Sequence, residues 1–471
     1  MEHRRSDLIV AVLALAGAVF AVLQAAVVPA LPDIDRALGA GPSSGTWILT
    51  VNLLATAALT PVLGRMGDIH GKDRMLRVVV TVLGLGTLAC ALAPSLPVML
   101  AGRVAQGAGG AVFPLAFGVL RDELDGERVA GAIGLVSSLL GIGAGLGLVL
   151  AGPVTAALGW RWLFWLPLAV LVPVGGAVAR WVPRSPVRTP APLDLMSAAL
   201  MVVGLSALLV AVTEAGAWGL GSERTLGLLG AGALLTAAWV RHELRSGDPL
   251  VDMRMMALRG VWTTNLAAFL LGVGMYASIA LVPALVELPR STGVGFGGSV
   301  TAAGLFMLPT AAPQLIVGSL TGRIARRVGS RTQLLVGVVL MLAAYIALAV
   351  AHRHAWQLVL ATSALGLGLG FGLAALANLI VLAVGPRQTG VATAMNTVMR
   401  TLGGAFGAAI VAECLARGGS LDGDFTLAFA ACAVALALGV AAVIAIPGTG
   451  PRVRLHPVGL GRATSSSCRA A

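Results

Sequence analysis

Two arginines, Arg103 and Arg400, fall inside long apolar runs of a 471-residue chain in which only 11% of the residues are charged. A charged group at that depth in hydrocarbon costs about 2.5–3.5 kcal/mol on insertion scales, so each marks a candidate for function. Arg103 lies roughly six residues, ~9 Å of helix, inside the nearer end of its run. Its purely structural role would be to hold the first helix through Gln24 or a backbone carbonyl. Arg400 has no equally deep acid in the sequence, which leaves water, a substrate anion, or Glu287 or Glu413 as its partner. The acids at the edges of apolar runs are Asp33, Glu214, Glu287 and Glu413. Polar cavity candidates are Gln24, Asn52, Gln106, Asn265, Gln314, Asn378 and Asn396. Asn396 stands one helical turn before Arg400, so it and Asn378 can make a hydrogen-bonding patch, although glue between helices explains any one of them equally well.

A third feature is the stretch "GRMGDIHGKDR", Gly64 to Arg74, between two apolar runs. Helix is expected to end near Arg65 and resume no earlier than about Arg74, with Gly67 and Gly71 letting the backbone turn. Asp68 then sits against the negative end of its own helix dipole and needs a positive partner, which a helix N-terminus elsewhere would provide.

The elements that must position these groups follow from composition. The chain is 58% hydrophobic with a mean hydropathy of +0.93, and runs of about 20 apolar residues, enough to span ~30 Å of hydrocarbon as helix, recur along it. An all-α integral membrane protein is expected. Crossings fall near 8–31, 46–65, 76–96, 98–120, 129–156, 162–182, 195–213, 225–240, 261–286, 299–321, 332–351, 356–382, 389–415 and 426–446. With the N-terminus inside, 24 of the 32 basic residues fall in inner segments and six in outer loops. Both termini are therefore expected on the cytoplasmic side, which requires an even number of crossings. Net charge of +12 does not indicate nucleic acid, because the arginines alternate between loops. All six histidines fall in loops or tails, and no His/Asp/Cys cluster sits at membrane depth, so neither a metal centre nor a membrane enzyme is expected. No glycine-lysine phosphate loop is present. Cys90, Cys414, Cys432 and Cys468 show no paired spacing.

"GRMGDIHGKD" from Gly64 and "GRIARRVGSR" from Gly322 repeat at an offset of 258. Helices 1–6 and 9–14 thus read as two parallel six-helix bundles with an inserted helix pair 7–8, giving 14 transmembrane helices. The expected division is residues 1–183, an N-terminal bundle; 184–258, a linker with the inserted pair; 259–447, a C-terminal bundle; and 448–471, a basic cytoplasmic tail.

"GRMGDIHGKDR" resembles the signature loop between helices 2 and 3 of the major facilitator superfamily. "LAGRVAQGAGGA", Leu100 to Ala111, resembles that family's fourth-helix motif, and "GWRW", Gly159 to Trp162, its turn into helix 6. "LDLMSAAL" and "HELRSGDPLVDMR" resemble its fourteen-helix drug:proton antiporter branch. The resemblance implies a secondary exporter of amphipathic drugs or natural products, working by alternating access on a proton gradient without a cofactor. It also implies a multi-pass protein of a bacterial plasma membrane, acting as a monomer on a small amphipathic substrate within the lipid bilayer.

For individual residues, the resemblance makes Gly64, Asp68, Gly71, Arg74 and Thr389 a cytoplasmic latch, with Asp68 capping the thirteenth helix between Thr389 and Ala392. The alternative is a loop that only stops two helices. Proton coupling is assigned to Arg103, Glu287 and Asp33, with Glu287 as carrier, and the substrate cavity to Gln24, Gln106, Asn378, Asn396 and Arg400. The chain departs from the branch at Leu23, where an aspartate is usual, and at Leu148, where the fifth-helix Gly-Pro pair loses its proline. Both departures make an uncoupled or uptake facilitator the competing reading. The glycines Gly143, Gly147, Gly403 and Gly407 are expected on the faces where the two halves slide, with static packing as the alternative.

Overall fold

The computed structural model describes residues 2–39, 42–124, 126–186, 192–219, 221–417 and 419–447; the tail 448–471, with Cys468, lies outside them. Among the described residues every regular element is helical.

The N-terminal bundle begins with α1 (Glu2–Ala25) and α2 (Val27–Leu38), which together form the first crossing. Pro29 separates them: it lacks an N–H, and its ring clashes with the carbonyl four residues back, on Ala25. Then come α3 (Pro42–His70), α4 (Lys72–Leu92), α5 (Leu96–Gly107), α6 (Val112–Glu123), α7 (Gly126–Leu158) and α8 (Trp162–Trp181). Helices α5 and α6 make one crossing, joined by a 3-10 turn over Ala108–Ala111. That turn is where glycines replace side chains. A Cβ on Gly107 or Gly110 would run into Ala55, Thr56 and Thr60 of α3, and one on Gly109 into Phe20 of α1.

The inserted pair is α9 (Leu195–Trp218) and α10 (Glu223–Glu243), followed by the single turn α11 (Met253–Met256). The C-terminal bundle comprises α12 (Arg259–Glu287), α13 (Val300–Val328), α14 (Ser330–Val350), α15 (Ala355–Ala383), α16 (Thr389–Leu415) and α17 (Leu421–Ala445). Thirteen segments are long and apolar enough to cross a bilayer, among the described residues. The remaining expected crossing is α10, helical for 21 residues but with charged residues at both ends.

The turn after α3 is tighter than the sequence suggests. Helix continues through Arg65 to His70, and Gly71 alone makes the reversal at φ +104° before α4 starts at Lys72. The repeat does the same: Gly329, 258 residues later, turns α13 into α14 at φ +81°. Only glycine adopts such angles without strain.

The two bundles meet along two seams, α7 against α13 and α3 against α16. Each crosses where two glycines let backbones touch. A Cβ on Gly64 would stand 2.9 Å from the Gly390 carbonyl oxygen, and one on Gly322 would stand 2.6 Å from Cα of Gly131. The inserted pair leans on the second seam, since α9 touches both α3 and α16. A separate apolar core joins Met201, Leu205 and Leu209 to Val391, Met395 and Val398 there. Glu243, 3% exposed, closes the pair by accepting from Trp239 Nε1 at 3.0 Å and from the Val251 N–H at 3.2 Å, with Ser197 as a further donor.

The glycine pattern of the fifth crossing corrects one expectation. Gly143 and Gly147 face Ala18, Ala21 and Val22 of α1, so they pack helices within the N-terminal bundle. Gly403 and Gly407 likewise meet Phe269 and Val273 of α12 inside the C-terminal bundle. Residues two apart on a helix point about 200° apart. It is therefore Gly141 and Gly145, facing Gln314 and Ala311 of α13, that lie on the seam between halves.

Candidate central cavity and its closed end

At the end of the molecule that carries the Gly71 turn, the two bundles are bonded together. Asp68, 2% exposed, accepts hydrogen bonds from the backbone N–H of Gly390 at 3.2 Å and of Val391 at 3.1 Å. These are unpaired donors in the first turn of α16, so the carboxylate meets the positive end of that helix's dipole. Gly64 and Gly390 allow the approach: a Cβ on Gly390 would stand 2.8 Å from Asp68 Oδ1. Thr389 is fully buried, and its hydroxyl accepts from Arg121 at 2.7 Å, while a second Arg121 nitrogen donates to the Val384 carbonyl at 3.0 Å. Asn378 adds a fifth bond across the seam, to the Ala130 carbonyl at 3.4 Å. All five of these bonds between residues 1–183 and 259–447 lie at this end. Arg74, expected in the latch, is exposed and makes no bond to it.

Behind the contact, Lys72 and Asp122 form a buried ion pair at 2.7 Å, with side chains 1% and 3% exposed. Asp122 also accepts from the Ser185 hydroxyl at 3.0 Å, and Asp73 from the Ser185 N–H at 3.0 Å. This ties the start of the linker to α4 and α6.

Toward the other end the halves separate around a cavity of about 320 Å³. Gln24 and Arg400 line it, as expected from the sequence, together with Arg103. Arg103 is 1% exposed and donates to the Ile48 carbonyl at 3.1 Å, the Leu23 carbonyl at 3.4 Å and Gln106 Oε1 at 2.8 Å. It both borders the cavity and fastens α1 and α3 to α5. Gln106 is tied up between Arg103 and Thr87 and does not reach the cavity. Nor do Asn378, spent on Ala130, and Asn396, which donates to Asn265 Oδ1 at 2.9 Å. Asn396 instead borders a second chamber of about 20 Å³, the size of a water site, that shares Arg400 with the main cavity and lies toward the closed end.

The two acids assigned to proton coupling lie elsewhere. Glu287, the last residue of α12, is exposed and does not line the cavity. Asp33, on α2, pairs with Arg36 one turn away. Glu287 ends its helix and Asp33 lies beyond the apolar run of the first crossing, so neither carboxylate is carried to the depth of the cavity. Residues that the site assignment missed include Arg121, which looks in sequence like one more inner-loop charge, and Tyr276, which lines the cavity. Tyr276 packs against Gly404, where a Cβ would meet its ring.

Two helical bundles around a shared cavity, bonded together at the Gly71 end among the described residues, are the architecture of a membrane transporter. Sequence comparison agrees: the profile of the Major Facilitator Superfamily matches residues 13–408 and 264–464. The chain belongs to that superfamily. It is similar to the "Multidrug resistance protein Stp" of Mycobacterium tuberculosis, with 27% identity over 82% of this chain and 72% of that protein. It is 26% identical to the "Multidrug transporter protein MdtP" of Bacillus subtilis over 84% of this chain and 73% of that protein. The "Cephamycin export protein CmcT" of Amycolatopsis lactamdurans is 31% identical over 83% and 81%. Among solved structures, the crystal structure of the human organic anion transporter MFSD10 (TETRAN) superposes with a TM-score of 0.67 at 16% identity, covering 93% of this chain and 99% of that one. At that identity the likeness concerns the fold alone.

Proposed function

We propose that the protein exports amphipathic drugs or natural products across a bacterial plasma membrane by alternating access. In this reading it acts as a monomer, with both termini cytoplasmic and the Asp68 contact closing the cytoplasmic side. The observation that carries the reading is a drug-sized cavity between the halves, sealed at one end by Asp68 on Gly390 and Val391. The names of relatives similar over most of the chain support it: two are called multidrug proteins and one an export protein. The basic residues concentrated at that end support the orientation.

A proton gradient is the proposed energy source, with Glu287 the sequence-based candidate carrier. One observation favours the competing reading of uncoupled diffusion: among the described residues, no Asp, Glu or His lines the cavity. The test is transport by purified protein in proteoliposomes, using a panel of fluorescent amphipathic compounds that are anionic, neutral and cationic, with and without a pH gradient. Gradient-dependent flux that Glu287→Gln and Arg103→Ala abolish supports coupling through these residues. Flux indifferent to the gradient supports the uncoupled reading, and coupling that survives Glu287→Gln removes Glu287 as carrier. Absence of flux for the whole panel refutes the proposed function.

A further inference from the structure

On the reading that the central cavity holds the substrate, its lining also assigns the substrate's charge. We infer that the cavity binds an amphipathic organic anion: an apolar body bearing one carboxylate or sulfonate, with the acid group on Arg400 and Gln314.

The cavity is cationic. Arg103 and Arg400 both line it, and among the described residues no acid does. The two arginines are not equivalent. Arg103 spends its donors on two carbonyls and a glutamine. Arg400 has no hydrogen bond or carboxylate partner among the described residues, and its Nε is enclosed without an acceptor. An enclosed guanidinium nitrogen left so is costly, and a negative group offered from the cavity removes that cost. The planar fork of the guanidinium matches a carboxylate in a bidentate geometry.

Gln314 is an independent observation on another helix. Its side chain is 1% exposed, lines the cavity, and has neither amide atom paired. It fills the space over Gly141, where a Cβ would collide with the amide. Thr310, one turn earlier on α13 and therefore on the same face, also lines the cavity with an unpaired hydroxyl. The Gln314 amide nitrogen donates, as Arg400 does, its Oε1 accepts, and the Thr310 hydroxyl can do either, so α13 and α16 together leave donors for acceptors on the ligand. Helices α1 and α7 of the other half contribute the apolar side chains Phe20, Leu140 and Leu148, interrupted by Gln24. The volume of about 320 Å³ suits a drug-sized body. A lipophilic cation would instead lie beside two guanidinium groups with no carboxylate to balance them.

The test uses the full chain in phosphatidylcholine nanodiscs, with protein-free discs subtracted. The probes are pyrenebutyrate, its neutral amide and pyrenebutylamine, which share one apolar body at three charges. Binding is read by fluorescence anisotropy. The inference expects the carboxylate to bind about 10- to 100-fold more tightly than the amine, the range a charge-assisted hydrogen bond supplies. Arg400→Gln should bring the ratio near one with amide affinity kept. Arg400→Lys should retain a preference, and Gln314→Ala should weaken the carboxylate more than the amide. Equal or tighter binding of the amine by the unsubstituted protein overturns the inference, as does an unchanged ratio in monodisperse Arg400→Gln protein. If Arg400→Gln does not fold, the wild-type ratio and the Arg400→Lys and Gln314→Ala results decide it. Failure of the exporter reading would appear differently, as loss of transport for every member of the charged and neutral panel.

Discussion

Replacing Asp68 by Asn separates a latch from a simple helix stop. The carboxylate accepts two backbone N–H bonds from the start of α16, at 3.2 and 3.1 Å, and is 2% exposed, so solvent screens neither. Hydrogen bonds to a charged group contribute about 1.5–3 kcal/mol each, and an asparagine oxygen would retain one neutral bond of about 1 kcal/mol. The net loss is about 2–5 kcal/mol in the closed state alone. At 1.4 kcal/mol per factor of ten, the ratio of closed to open molecules falls by about one and a half to three and a half powers of ten. The exposed positions Arg74 and Arg387 sit beside the contact, on α4 and just before α16. Spin labels on Arg74→Cys and Arg387→Cys, in a background with the native cysteines replaced, report the separation by pulsed electron resonance. Asp68→Asn should add a long-distance population that the parent lacks. Superimposable distance distributions would refute the argument, because the contact would then contribute nothing to closure.

Three further outcomes follow from other features. Lys72→Met should lower thermal stability in detergent by about 3–5 kcal/mol, since it strands the buried Asp122 carboxylate, and the double variant with Asp122→Asn should recover much of it. The Asp194 carboxyl, at the start of α9, is held below its ordinary value by the Ser197 backbone N–H and by His242. Its stabilisation is therefore whole above the ordinary carboxylate range and is lost as the pH falls through the lowered value, so melts taken down to pH ~3 should flatten in Asp194→Asn. A cargo of one negative charge is driven out of a negative interior by about 2.3 kcal/mol per 100 mV. Flux of pyrenebutyrate through valinomycin-clamped proteoliposomes should thus rise with interior-negative potential, whether or not protons exchange for it.

Much of the architecture was legible because charge and glycine punctuate an apolar chain. Gly71 and Gly329, 258 residues apart, mark the same turn in both halves, and Asp68 announced its need for a helix N-terminus by opposing its own dipole. What the sequence hid was rotation about each helix axis. In a bilayer, lipid and neighbouring helix are equally apolar, so no polar face tells which side is packed. That is why Gly143 and Gly147 could not be told from Gly141 and Gly145, though they point to different neighbours. The same ambiguity hid Gln314 among seven intramembrane amides and placed Gln106 and Asn378 in a cavity they do not line. Arg121 was hidden by its company: in sequence it is one of many basic residues near helix ends, and only its bonds to Thr389 and Val384 distinguish it.

The account depends on the halves separating at the Asp68 end during each cycle. The most direct test is transport of pyrenebutyrate in proteoliposomes with Arg74→Cys and Arg387→Cys bridged by a thiol-cleavable crosslinker. The account predicts that flux stops in proportion to bridging and returns when the bridge is reduced. Undiminished flux through fully bridged protein would contradict it.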